Sequence, residues 1–395
     1  MSHVLIAGGG IGGLVAALSL LRRGHQVTVC EQARELTEFG AGVQIAPNAS
    51  RVLVSLGLEA ALQDLVCVPT GKEIRLFDTG QTWKLADLGE QSVERYGAPY
   101  WLVHRGDLHS VLVAAVRAEA PESLLTGARV SGFEQDENGV KLDLEDGRQL
   151  TGDALIGCDG IHSVVRRILH GGDMAVTFVG RAAWRGVIPS ERLSPHQRRL
   201  VGTNWIGPGA NAVVYPLRQG KLVNFVGALN DVEWTSESWT APGSPEELRS
   251  DFAGWHPDIQ ELIENIDVPL KWAFRGREPL TSWTKNRVTL LGDAAHPTLP
   301  TMAQGACMAI EDGAVLARCI DGDGDVAGGL QRYEAARLER TSRLVRASTD
   351  NTRRLQDDRL GGPGAVNFVD VEYQPDAVAK RYDWLFEYDA LSVPA

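Results

Sequence analysis

The stretch "VLIAGGGIGGLVAALSLL", Val4 to Leu21, constrains this chain more than any other segment. An apolar run stops at Ala7, five glycines crowd between Gly8 and Gly13, and apolar residues resume from Leu14 to a stop at Gly24. The run is long and uncharged enough to imitate a membrane span. Its glycine-rich centre is a poor helix former and no Lys or Arg precedes it, so the pattern predicts a strand, a tight turn and a buried helix over Leu14 to Arg23. "QVTVCE" follows as a second strand ending at Glu31. In Gly8-x-Gly10-x-x-Gly13 the first glycine permits the turn, the second lets backbone approach a pyrophosphate, and the third lets helix and strand pack closely. The helix N-terminus offers free N–H groups to phosphates, and Glu31 is placed to accept hydrogen bonds from a ribose diol. Strand, turn, helix and acid in register predict a dinucleotide site; a glycine-rich structural turn alone would not need the acid.

The rest of the composition narrows the partners. With 395 residues, 44% hydrophobic and 23% charged, the chain is long enough for two cores, and a formal charge of −12 without a basic block argues against nucleic acid. Cys30, Cys67, Cys158, Cys307 and Cys319 lie far apart with no CxxC or Cys/His cluster, which suggests neither a disulfide framework nor a metal site and suits a reducing cytoplasm.

The strand-then-glycine pattern returns twice, as "DALIGCDG" (153–160) before a helix-like "HSVVRRIL", and as "RVTLLGDAAHPTLPTMAQGACMAIEDG" (287–313), where a helix is predicted from Gly305. Three such segments predict one parallel-sheet domain interrupted by insertions. Between Val176 and Arg277 the texture changes: "NAVVYPL" and "KLVNFVGAL", joined by "RQG", predict a hairpin in an antiparallel sheet. Strand parity puts Asn211, Val213 and Tyr215 on one face, and Leu222, Asn224 and Val226 on another. Trp184, Trp205, Trp234, Trp239, Trp255 and Trp272 fall in this region and read as aromatics of a β layer. After Val326 a long helix is predicted through "LQRYEAARLERTSRLVRAS", its arginines forming a solvated face. His104, His109, His162, His256 and His296 are scattered and read as surface or capping residues.

Taken in order, Gly8, Gly10, Gly13 and Glu31, then Asp159, Gly160, Ser163 and Arg166 of "CDGIHSVVRR", then Gly292, Asp293 and Pro297 of "LLGDAAHP", resemble the three fingerprints of the single-component FAD-dependent aromatic hydroxylases, the para-hydroxybenzoate hydroxylase-like flavoprotein monooxygenases. The likeness runs from residue 3 to about residue 320. It implies tightly bound FAD, with NAD(P)H as transient reductant and O2 as co-substrate, and hydroxylation through a flavin C4a-hydroperoxide. By the same resemblance Asp293 holds the ribityl hydroxyls, the other reading being a helix N-cap. The segment Pro297 to Gly305 runs beside the isoalloxazine, with N–H groups at Gly305 facing the flavin pyrimidine edge. Arg105 contacts the flavin or, alternatively, joins a surface salt bridge. Asp159 and Arg166 serve flavin pyrophosphate and nicotinamide, or support the fold.

On the substrate side the resemblance points to Tyr215 and Gln304, with Asn211 where relatives carry a histidine and Gln44 as a further member of a phenol-orienting relay. Asparagine is no base, so the relay is rerouted through Tyr215, water or Gln44. The substrate implied is a small hydroxybenzoate, salicylate or hydroxypyridine. Alternatives are a hydroxylase or epoxidase of a bulkier polycycle, and a flavin-binding protein without productive hydroxylation. The expected fold class is α/β. A Rossmann-like FAD-binding domain spans 1–75, 98–175 and 278–325; an inserted, mostly antiparallel β-sheet substrate domain spans 76–97 and 176–277; a C-terminal helical segment spans 326–395. A cytoplasmic monomer or homodimer is expected, with no nucleic-acid partner and no membrane span.

Overall fold

The computed structural model describes residues 1–36, 41–172, 176–230, 232, 241–320 and 325–394. At its centre His3–Ala7 pairs in parallel with Gln26–Cys30 on one side and Ala154–Gly157 on the other, and Ala154–Gly157 pairs in parallel with Val288–Leu290. The three strands that precede the three glycine turns are therefore neighbours. Because they are parallel, their C-terminal ends open on one edge of the sheet, where ligands of such sheets bind. Val4, Leu5, Ile6, Leu155, Ile156, Val288 and Leu290 are fully buried, as strands covered on both faces must be. Helix Ile11–Leu21 covers one face and crosses helix Gly305–Ile320 closely, since a Cβ at Gly313 would stand 2.8 Å from the Ala16 backbone nitrogen. The predicted start of the second helix at Gly305 is where it begins.

The inserted sheet has eight strands, in the order Ala241–Pro242, Leu270–Gly276, Thr177–Pro189, Leu222–Leu229, Ala210–Leu217, Val201–Gly207, Gly71–Leu76 and Thr82–Asp87. All pairs are antiparallel except Gly71–Leu76 with Val201–Gly207. That parallel addition carries the sheet across the expected boundary at residue 75, because the strand starts at Gly71. The predicted hairpin forms, and its turn places Arg218 and Gln219 at φ 48° and 56°. Arg218 is held there by both oxygens of Asp107 (2.8 and 2.7 Å), which docks the hairpin tip on helix Arg105–Glu119.

Register corrects one expectation. Tyr215 pairs with Asn224 and Val213 with Val226, so the two parity sets share one face of the sheet instead of lying on different faces. The opposite face, with Trp184, Trp205, Val214 and Phe225, packs under helices Pro245–Asp251 and Pro257–Glu264 in its own core. Trp234 and Trp239 lie outside the described residues.

The C-terminal helix Val326–Leu355 forms as predicted, but its arginines are not uniformly solvated. Arg337 is fully buried and bonds Asp312 (2.7 Å) and Glu311 (2.5 Å), while Arg340 bonds both oxygens of Glu311 (2.8 and 2.7 Å). Two adjacent carboxylates on helix Gly305–Ile320 draw them inward. No helix among the described residues is long and apolar enough to cross a membrane.

Candidate functional site

The glycine turn is built as a cradle. Gly8 has φ +109° and a Cβ there would lie 2.3 Å from the Cys158 carbonyl oxygen, so no side chain fits. A Cβ at Gly13 would lie 2.1 Å from the Gly8 carbonyl oxygen. Gly10 differs, since a Cβ there meets nothing within 4 Å. The space in front of the helix N-terminus is thus open at the position where a pyrophosphate would approach. Glu31 accepts from the Gly9 and Ala33 backbone N–H groups (both 2.8 Å), bracing the turn while leaving carboxylate lone pairs for a ribose. Buried His109 bonds the Gly9 carbonyl (2.8 Å), so it is part of the turn's support, not a surface residue.

The middle motif looks inward. Asp159 accepts from Ser163 Oγ (2.5 Å) and from the Val164 and Val165 N–H groups (2.7 and 3.1 Å), capping helix Val164–Leu169. Arg166 donates to the Ala294 carbonyl (3.1 Å) and the Ile161 carbonyl (2.7 Å). Both side chains are committed within the fold, and Arg166 ties the second motif to the third.

Asp293 sits in a short turn, Gly292–Ala294, and caps no helix. Its side chain is accessible and makes no hydrogen bond among the described residues, yet burial by the surrounding protein pushes its carboxyl above the usual range, opposed by His296 and Arg105. Its carboxylate is open to a ligand. An acceptor at that place can hold hydroxyl groups of a ligand reaching across from Gly10. Pro297 is buried, Leu299 packs on Ala183, Ala228 and Phe274 of the large sheet, and Thr301 bonds Ser348 (2.7 Å) and Thr352 (3.1 Å) of the C-terminal helix. The two prolines thus fix a strap between the parallel sheet and the inserted one. At its end the first-turn N–H groups of helix Gly305–Ile320 lack intrahelical acceptors and can face an anion.

Facing the strap, Tyr215 is buried with its hydroxyl unbonded among the described residues. A Cβ at Gly42 would lie 2.4 Å from the Tyr215 ring, and the Gly42 N–H donates to Asn224 Oδ1 (2.9 Å). Gln44, two residues along the strand Gly42–Ile45, accepts from Tyr100 (2.7 Å), which accepts from Lys72 (2.7 Å). Gln304 is buried, and the orientation of its amide is fixed by a chain of charges. Arg337 and Arg340 keep Glu311 ionised, with its carboxyl below the usual range. Glu311 therefore takes the Asn48 amide nitrogen (2.5 Å), and that nitrogen can approach Gln304 at 3.0 Å only if it meets oxygen. Gln304 is left with Nε2 as a buried donor without a partner among the described residues.

Tyr215 thus packs on the strand that carries Gln44, and the Gln44 carbonyl accepts from Cys307 Sγ (3.5 Å), three residues after Gln304 at the end of the strap. Asn211 is not with them: its oxygen accepts from Gln356 (3.0 Å), which also bonds the Ala228 carbonyl (3.3 Å). Sequence reading missed Lys72, Tyr100 and Asn48. For Lys72 a signal existed, since in "GKEIRL" it lies in phase with buried Ile74 and Leu76. Asn48 gave none, because its partners lie on a distant helix.

The FAD binding domain family model matches residues 1–348. The chain is 38% identical over 392 residues to a 3-amino-4-hydroxybenzoate 2-monooxygenase of Streptomyces platensis, covering 99% of this chain and 97% of that protein. It is also 38% identical to a 3-hydroxybenzoate 6-hydroxylase of Polaromonas naphthalenivorans, covering 88% and 86%. Among solved structures, HpxO of Klebsiella pneumoniae complexed with FAD and uric acid superposes with a TM-score of 0.83 at 26% identity, over 99% of this chain and 97% of that one. Open space at Gly10 and an unpartnered Asp293 are what a bound dinucleotide requires, and the chain belongs to the FAD binding domain family, among its FAD-dependent aromatic-ring monooxygenases.

Proposed function

We propose that the protein hydroxylates a small aromatic acid of the hydroxybenzoate type, using NAD(P)H and O2. The observation that carries this reading is the pairing of one open cradle, from Gly10 to Asp293, with polar side chains beside it: Tyr215 against Gly42, Gln44 two residues along that strand, and Gln304 at the end of the strap. FAD, when bound, supplies the redox chemistry that delivers one oxygen atom to the ring. The chain's own residues hold and orient. Gly8, Gly10 and Gly13 admit the pyrophosphate, Glu31 takes the ribose, Asp293 the ribityl hydroxyls, and Arg105 approaches from the facing helix. The N–H groups at Gly305 meet negative charge that develops on the ring system. Asp159, Arg166, Gly292 and Pro297 shape the cradle without reaching into it.

On the substrate side, Gln304 presents a donor, so it binds a phenolic oxygen as an acceptor and favours the phenolate. Tyr215 offers its hydroxyl to the same oxygen. Burial raises the Tyr215 hydroxyl's pKa, so it stays protonated and serves as a hydrogen-bond partner, not as a standing base. Asn211, bonded to Gln356, is left out of the relay. A ring closely surrounded by these groups suits a single-ring substrate better than a polycycle. Five free thiols support a reducing, cytoplasmic setting.

A panel of hydroxylated and aminated benzoates and hydroxypyridines, scored for stimulated NAD(P)H oxidation, tests the reading. At least one single-ring acid is expected to stimulate oxidation well above the substrate-free rate, and Tyr215→Phe to lower product per NAD(P)H with peroxide making up the difference. Stimulation only by polycycles, or by nothing in the panel, contradicts it.

A further inference from the structure

A lysine on the apolar side of a strand needs a reason. Lys72 shares its face of strand Gly71–Leu76 with Ile74 and Leu76, which are core residues. Its stem lies over Gly202 of the neighbouring strand, with Cγ and Cε 3.5 and 3.9 Å from where a Cβ would stand. The missing side chain lets the lysine lean toward the hairpin that carries Tyr215. Its ammonium donates to the Tyr100 hydroxyl (2.7 Å) and lies 4.6 Å from the centre of that ring, and Tyr100 donates in turn to Gln44 (2.7 Å). Lys72 therefore joins the Tyr215, Gln44 and Gln304 group.

The ammonium has no carboxylate partner among the described residues. Its titratable neighbours are its partner Tyr100, before strand Trp101–His104, and Cys307 on helix Gly305–Ile320; Tyr215 on the hairpin and Tyr382 of helix Pro375–Phe386 stand around Tyr100. Burial pushes the Cys307 thiol up to about 12 and raises all three tyrosines, so each is neutral. Glu311, on the same helix as Cys307, is committed to Arg337, Arg340 and Asn48. Burial lowers Lys72 itself to about 8, yet the side chain keeps accessible surface. This is a cation in neutral company with part of its surface open.

We propose that Lys72, with Tyr100 beside it, is the counter-ion for the carboxylate of the aromatic substrate and selects acids over neutral phenols. The inference rests on the aromatic-acid reading above. The ammonium has three N–H donors and Tyr100 takes one, so two are left for a carboxylate. A bound anion holds the ammonium charged. In the free enzyme the charge is lost as pH rises through about 8, so acid binding weakens above that pH while binding of an uncharged analogue does not change.

The test compares wild type, Lys72→Met and Lys72→Arg on the best acid of the panel and on its carboxamide. In Lys72→Met the KM for the acid is expected to rise roughly 10- to 100-fold, as for loss of one charge-assisted hydrogen bond, with KM for the carboxamide rising far less. Lys72→Arg should keep the preference for the acid and abolish the rise in its KM above pH 8. A Lys72→Met enzyme that still prefers the acid as strongly as wild type overturns the assignment. Flavin content and thermal melting report whether each variant folds; if Lys72→Met does not, a KM for the acid that still climbs above pH 8 in Lys72→Arg overturns it alone. Wild type without preference for acid over carboxamide would instead contradict the aromatic-acid reading.

Discussion

Asp293 and Asn48 show how differently two polar residues announce themselves. Asp293 was legible because it follows an apolar strand and a glycine, a local pattern that a strand-end turn imposes, and the structure leaves its carboxylate accessible and without a hydrogen bond among the described residues. If it holds ribityl hydroxyls, Asp293→Ala weakens FAD affinity by roughly 10- to 100-fold, the worth of one charge-assisted hydrogen bond. Fluorescence titration of apoprotein measures this, and an unchanged affinity would remove Asp293 from the cradle. Asn48 was illegible, since its role depends on Glu311 and Gln304, brought near only by the fold. Removing it in Asn48→Leu frees the Gln304 amide to turn. The expected result is normal flavin content with less hydroxylated product per NAD(P)H oxidised, read by quantifying product and peroxide together; unchanged coupling would mean that the amide's orientation does not matter.

Helices Gly305–Ile320 and Val326–Leu355 carry the heaviest electrostatic load of the fold. Glu311, Asp312, Arg337 and His296 are all buried, with Asp312 bonded to Arg337 (2.7 Å) and to His296 (2.7 Å). Periodicity predicted both helices but placed their arginines outside, because a sequence pattern cannot show that two carboxylates on another helix will face them. Removing one partner of a buried pair leaves the other uncompensated, so Asp312→Ala is expected to cost about 3–5 kcal/mol in urea unfolding. These partners overcome burial and hold the Asp312 carboxyl down at about 2. A carboxyl depressed below its unfolded value contributes stability that is present above about pH 4 and lost as pH falls toward 2, so the wild-type advantage over Asp312→Ala should shrink over that interval. An advantage that stays constant with pH would show that Asp312 acts through packing alone. The strand Gly71–Leu76 illustrates another limit: three of its six residues are charged and its parallel partner Val201–Gly207 is remote in sequence, so neither the strand nor its place in the sheet was legible.

At the scale of the molecule, three adjacent parallel strands deliver the three motifs to one edge, and an eight-stranded sheet packs Ala183, Ala228 and Phe274 against the strap that leaves that edge, with Tyr215 on the same face. The glycine turns were readable because each is local and sterically demanding. The face opposite them was half readable, since parity groups residues on one strand while only register says which strands agree. The account as a whole claims that this arrangement passes one atom of O2 to an aromatic acid held by the inserted sheet. The most direct measurement is mass spectrometry of the product formed from an aromatic acid, NAD(P)H and 18O2 by the purified, FAD-loaded enzyme. The account predicts a product carrying one 18O atom, formed close to one per NAD(P)H oxidised. Unaltered acid, with all the consumed oxygen recovered as hydrogen peroxide, would contradict it.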